Sequence, residues 1–256
     1  MKIYVINFRH ILKYISLLIL IALLISIASI TGMDVLGVFS PEKELPIYCV
    51  EVSEKKAAIT FDCAWGADDI PKILEVLKSK NVKATFFIVG QWADKFPDKV
   101  KMIAAEGHDI ANHSHSHLRM GVLGQSKINS EIQICGDKLG ALSGRKIELF
   151  RPPYGDYSNN VVATARKLGY YTIQWNVDSL DWKPGISTGE ILSRVSSKLN
   201  PGSIILFHND TPHTAAILPE IIDTIVLSGY RLVPVSELII RDNFYIDFDG
   251  RQKKKE

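Results

Sequence analysis

The sequence is poor in the residues that would mark several function classes. Only three of its 256 residues are cysteines: Cys49, Cys63 and Cys135. Three thiols cannot all pair within one chain, which excludes a dense disulfide framework, although a single bridge stays open. Neither charge is in excess: 30 basic against 28 acidic residues leave a net of +2. There is no basic stripe interleaved with aromatics, so nucleic acid is not an expected partner. The one basic run, Arg251 to Lys255, reads as a frayed end. No G-x-S-x-G elbow occurs, which disfavours an α/β hydrolase with a serine nucleophile. Internal repeats and low-complexity segments are also missing. Length alone leaves one large α/β domain or two small ones open.

What is present begins with an uncharged, mostly apolar run, "YISLLILIALLISIASITGM", from Tyr14 to Met33. Its length matches the roughly 20 residues needed to cross a bilayer. Lys2, Arg9 and Lys13 precede it, and Asp34, Glu42 and Glu44 follow. The positive-inside bias then puts residues 1–13 in the cytoplasm, makes 14–33 a transmembrane anchor and exports the rest. A cleaved signal peptide, giving a secreted protein, is the competing reading, but "SIAS" is only a loose cleavage site.

Residues 34–50 read as a linker and first strand. Beyond them, apolar strand-like runs alternate with helical patterns. "AAITF" (Ala57–Phe61), "ATFFIV" (Ala84–Val89), "HDIAN" (His108–Asn112), "ELF" (Glu148–Phe150), "YTIQW" (Tyr171–Trp175), "SIILF" (Ser203–Phe207) and "RLVPV" (Arg231–Val235) are the strands. Helices are expected after Ile70, near Pro97, and over Ser126–Leu139, Glu190–Leu199 and Ala215–Leu227. Cys135 falls in step with Ile128, Ile132 and Leu139, as a buried helix thiol would. Repeated β-α units indicate a parallel sheet covered by helices. The expectation is an α/β fold over residues 51–240, a closed or nearly closed barrel of about seven parallel strands, with 241–256 as a tail. An open doubly wound sheet is the alternative. Asp62, His113, Arg151, Asp178 and His208 each follow a different strand at its C-terminal end. In a β/α barrel those ends form one rim, where active sites lie, and this favours the barrel.

Four motifs carry the chemistry. "NHSHSH", Asn112 to His117, places three of the chain's seven histidines within five positions. His113 and His117 can converge on one metal, while His115 points away. "RPPYG", Arg151 to Gly155, joins a permanent cation to a rigid turn. Arg151 can hold a carboxylate, and the Tyr154 N–H can face an oxyanion. "DSLDW", Asp178 to Trp182, brings two acids and an indole, and "LFHND", Leu206 to Asp210, ends a strand on His208. With an acid to orient it, His208 becomes a candidate proton donor. Asp210 and His213 are left as loop residues.

These motifs, with "FDCAWG" at Phe61 to Gly66, resemble in their order the polysaccharide deacetylases (NodB-homology domains, carbohydrate esterase family 4). The resemblance spans roughly Lys56 to Leu238 and is nearest the sporulation-associated branch of Gram-positive bacteria, where an anchor precedes an F-D-x-x-W-G motif. It implies a distorted β/α barrel that removes N-acetyl groups from amino sugars of peptidoglycan or chitin-like polymers. Asp62 then matches the general base, His113 and His117 the ligands of a divalent ion, usually zinc, and Arg151 the residue orienting the base. The Tyr154 N–H matches an oxyanion donor, Asp181 the acid that tunes the catalytic histidine, Trp182 a wall of the sugar groove, and His208 the general acid. The implied partners are a cell-wall glycan and, through the anchor, a membrane; the protein is expected to be monomeric.

The pattern breaks at one position. Family members carry two adjacent aspartates in the first motif, the second a metal ligand, and here the second is Cys63. A Cys63 thiolate can replace it, since zinc accepts sulfur; Asp68 or Asp69 can swing in; or two histidines and water can hold metal weakly. In a regular strand Asp62 and Cys63 point to opposite faces, and Cys63 is then a small apolar filler. Keeping Asp62, Arg151, Asp181 and His208 argues for an enzyme, and losing the second aspartate for a glycan binder without turnover.

Overall fold

The computed structural model describes residues 12–26 and 43–255. The chain divides into two units, Met1–Lys43 and Glu44–Glu256. In the first, the described residues form helix α1 over 12–26. Residues 27–33 of the expected anchor lie outside the described residues, and among those described no helix is long and apolar enough to cross a membrane.

The second unit alternates strands and helices as expected. In chain order it runs β1 (Cys49–Val50), β2 (Lys56–Cys63), α2 (Ile70–Ser79), β3 (Thr85–Ile88), α3 (Gly90–Lys95), α4 (Pro97–Ala105) and β4 (Asp109–Asn112). Then come α5 (Gln125–Ser143), β5 (Leu149–Phe150), α6 (Asn159–Lys167), β6 (Tyr171–Thr172), β7 (Val177–Asp178), α7 (Thr188–Lys198) and β8 (Ser203–His208). The chain finishes with α8 (Thr214–Leu227), β9 (Arg231–Leu232), α9 (Val235–Leu238), β10 (Phe244–Ile246) and β11 (Arg251–Lys254).

Strands β2 to β6 lie side by side in parallel, and β8 flanks β2 on its other side, also in parallel. β7 joins β8, and β1 packs antiparallel on β8. Ile47, just before β1, bridges Ile173, just after β6, so the sheet curls back on itself. The expected α/β architecture is present as a curled, mostly parallel half-barrel.

Alternation along β2 sorts its residues between two apolar layers. Ile59, Phe61 and Cys63 pack outward with helix residues such as Ile70, Leu77 and Ile221. Ala58 faces inward with Phe87, Ala111 and Ile204. Thr60 and Asp62 share that inward parity, since successive side chains of a strand alternate. This single strand thereby delivers a carboxylate to the barrel mouth and a thiol to the helix layer.

Two expectations need correction. "RLVPV" is strand only over Arg231–Leu232, because Pro234 lacks the N–H a strand needs and instead precedes α9. The supposed frayed tail is β11, which pairs in parallel with β1 and antiparallel with β10. What pins it is Gln252, fully buried, whose side chain accepts from the Ile240 N–H at 2.9 Å and donates to the Ile240 carbonyl at 2.8 Å. Cys135 is buried on α5 as its spacing indicated, and all three cysteines are free thiols.

Candidate active site

The C-terminal ends of the parallel strands open into a cavity of about 450 Å³. Asp62 from β2, His113 and His117 after β4, Tyr154 after β5, Asp178 ending β7 and His208 ending β8 all line it. The exposed indoles of Trp65 and Trp182 border it as well.

Asp62 sits at the centre of a buried electrostatic knot. Arg151 Nη1 donates to Asp62 Oδ1 at 2.6 Å and to Thr60 Oγ1 at 2.9 Å, while Nη2 donates to the Gln174 carbonyl at 3.0 Å. Arg151 is wholly buried, its guanidinium 3.9 Å from the Phe87 ring centre. Burial alone would push the Asp62 carboxyl up, but the charge of Arg151, joined by that of His208, and the Arg151 hydrogen bond outweigh it and hold Asp62 below the usual carboxylate range. Asp62 is therefore an ionised acceptor at neutral pH.

The two histidines are neutral. His113 Nδ1 is 2.8 Å from the Arg151 carbonyl, which can only accept, so that nitrogen carries the hydrogen. Its Nε2 lone pair then faces the cavity, 3.4 Å from Asp62 Oδ2. Burial lowers the affinity of His113 for a second proton, and it brings the His117 pKa down to about 4, with the nearby His113 adding to the effect. The two rings are 5.1 Å apart, and His117 Nδ1 is hydrogen-bonded to the Tyr154 hydroxyl at 3.1 Å. His115 stays out of the cavity and packs against Gly90, as expected.

His208 behaves oppositely. Its Nδ1–H donates to Asp181 Oδ1 at 2.8 Å, and its backbone N–H donates to Asp181 Oδ2 at 2.7 Å. Thr214 Oγ1 donates to the same Oδ2 at 2.6 Å, so the buried Asp181 is fully engaged. Burial opposes a charge on His208, but the hydrogen bond and charge of Asp181, joined by those of Asp62 and Asp178, raise its pKa above the usual imidazole value. The outcome is a carboxylate that gives up its proton readily and an imidazole that holds its proton more tightly, facing one cavity.

Cys63 does not join this group. It is fully buried in the outer apolar layer, and burial pushes its thiol well above the ordinary range, with Asp62 and Asp69 adding to the effect. A thiolate ligand is thereby overturned: a buried, protonated thiol on the far face of β2 cannot coordinate. Asp69 is also committed elsewhere, accepting from the Asp210 N–H at 2.8 Å. Among the described residues no group of three or more histidine, cysteine, aspartate or glutamate side chains is placed to hold a metal ion.

Sequence reasoning missed three contributors. Trp65 closes the cavity and meets the His117 ring edge-on at 5.3 Å; its place in F-D-x-x-W-G was the available signal. Arg119 lines the same cavity without belonging to any motif. Asp210, left as a loop residue, accepts from the Gly66 N–H at 2.9 Å and braces the Trp65 loop.

This arrangement has counterparts among known proteins. The polysaccharide deacetylase family model matches residues 50–173. A peptidoglycan-N-acetylglucosamine deacetylase of Bacillus cereus is 37% identical over 191 residues, which is 73% of this chain and 69% of the relative. The chain belongs to the polysaccharide deacetylase family. A Bacillus subtilis family member, a peptidoglycan-N-acetylmuramic acid deacetylase, is 30% identical over 77% of this chain and 76% of its own length. The crystal structure of a Bacillus anthracis protein described as a carbohydrate esterase family 4 pseudoenzyme superposes with a TM-score of 0.74 at 34% identity, covering 78% of this chain and 71% of that one. A mutant of that pseudoenzyme is described as having restored enzymatic activity. Both outcomes, turnover and its loss, thus occur on this fold among similar proteins.

Proposed function

We propose that the protein hydrolyses N-acetyl groups from amino sugars of a peptidoglycan-type cell-wall glycan. One observation carries this reading: Asp62 and His208 face a single cavity, each held by its own buried partner, Arg151 or Asp181. Asp62 accepts a proton from water as its oxygen attacks the amide carbonyl. The Tyr154 N–H, in a turn where Tyr154 has a left-handed φ of 60°, supports the developing oxyanion. His208 passes its proton to the nitrogen as the C–N bond breaks, and acetate and a free amine leave. Trp182 forms a wall for the sugar.

The family implies a divalent metal, zinc by expectation, with His113 and His117 as its histidine ligands. The residues present do not complete the Asp-His-His set, since Cys63 lies on the opposite face of β2. The same displacement favours a second reading, a glycan-binding family member without turnover. Attachment to a membrane with the Glu44–Glu256 unit outside the cytoplasm is also proposed, supported by the uncharged run over 14–33 and the charges flanking it.

Acetate released from peptidoglycan and from N-acetylglucosamine oligomers, with added zinc and with chelator, tests the catalytic reading. Asp62→Asn is expected to cut turnover by about 10²–10⁴-fold, the usual contribution of a general base. No acetate under any metal, with glycan binding retained, selects the second reading.

A further inference from the structure

Arg119 stands two residues after His117 on the wall of the cavity, outside every motif the family resemblance uses. The chain around it is pinned. Met120 is fully buried against a cluster that includes Ile128, Ile132 and Phe150, and the Gly121 N–H donates to Asp156 Oδ2 at 2.9 Å. A Cβ on Gly121 would lie only 2.8 Å from Asp156 Oδ1, so a side chain there would make the Asp156 carboxylate shift. The Arg119 guanidinium lies 4.7 Å from the centre of the Tyr154 ring. It has no ion-pair partner among the described residues. The other arginine of the site, Arg151, is buried and committed to Asp62, Thr60 and Gln174.

The cavity is therefore electrically lopsided. The Asp178 carboxylate lies at the end of β7, next to a His208–Asp181 pair whose charges offset each other, while Arg119 lies beside the β4 and β5 ends, across β2 and β3. An anionic group on a ligand is repelled at the first side and attracted at the second. A guanidinium propped on an aromatic face keeps its fork of N–H donors free for a planar acceptor.

We propose that Arg119 binds a carboxylate of the substrate, so that the groove favours an acetylated glycan bearing carboxylates over a neutral N-acetylglucosamine polymer. The proposal rests on reading the cavity as a glycan site. That carboxylate can belong to a lactyl ether on the sugar or to a peptide attached to it.

Rapid-mixing tryptophan fluorescence of the full chain reads binding before any turnover. Its probes are a neutral N-acetylglucosamine tetramer, peptide-free glycan strands with free lactyl carboxylates, and strands still bearing peptides. Wild type is expected to bind at least one carboxylated ligand more tightly than the tetramer. Arg119→Gln should lose about tenfold more affinity for that ligand than for the tetramer, the lower end of what a charge-assisted hydrogen bond contributes. Arg119→Lys should keep part of the preference, which a purely structural role would not predict. Whether the peptide-free or the peptide-bearing strands show the loss identifies the carboxylate. Equal losses on all ligands, an unchanged preference in Arg119→Gln, or no glycan binding by wild type overturns the proposal. Acetate release, measured separately, decides the catalytic reading whichever way the binding comparison falls.

Discussion

Asp181→Asn is the perturbation that most directly tests how His208 holds its proton. Asp181 is 1% exposed, and its two oxygens accept from His208 Nδ1–H, the His208 N–H and Thr214 Oγ1. Asparagine fills the same volume but removes the charge and replaces one acceptor oxygen with a donor. Without that partner, the burial of His208 acts unopposed by its main counterweight and disfavours the imidazolium. A hydrogen bond to a charged group is worth about 1.5–3 kcal/mol, so the protonated fraction should fall by about ten- to a hundredfold on the alkaline side. Acetate release at neutral pH should fall by a similar factor, and its alkaline limb should move to lower pH. Proton NMR of the His208 ring follows the same titration in a protein that does not turn over. In wild type the raised pKa means His208 contributes stability that is fully present below about 6.5, the unfolded value, and is lost as pH rises through the folded one. An Asp181→Asn protein whose His208 titrates as in wild type would refute the reasoning.

Arg151→Met should destabilise by about 3–5 kcal/mol, because it strands the buried Asp62 carboxylate without its partner. The melting temperature should then fall by roughly 2–4 °C per kcal/mol. The Asp62 pKa is depressed in wild type, so this contribution is present above the unfolded value near 3.9 and lost as pH falls through the folded one; the two proteins should converge in acid. Wild-type stability in the variant at neutral pH would contradict the knot. Gln252→Leu should cost about 1–3 kcal/mol for each Ile240 backbone group it leaves buried and unpaired, read from urea midpoints. A change below about 0.5 kcal/mol, the ordinary surface range, would show that β11 is not pinned by this side chain.

Much of this arrangement was legible in the sequence for a simple reason. An apolar run that ends abruptly in a polar residue marks both a buried strand and its mouth end, which is how Asp62, His113, Arg151 and His208 announced themselves. Period-two alternation also set Cys63 opposite Asp62, and its place in the outer layer follows from that parity. β7 was harder, being two residues long and lacking an apolar run of its own. β11 was hidden because "RQKK" has no strand-like side chains; its order comes from backbone pairing and one buried amide. Trp65 and Arg119 gain their meaning only from what the fold places across from them, and no local pattern carries that.

The pairing of β11 with β1 sets the order in which the barrel can be finished. Residues 251–254 are synthesised long after residues 49–50, yet they cover the open edge of that early strand. Until they arrive, the edge of β1 is an unpaired template for other chains. A chain cut short before Arg251 carries every residue of the cavity and still presents that edge.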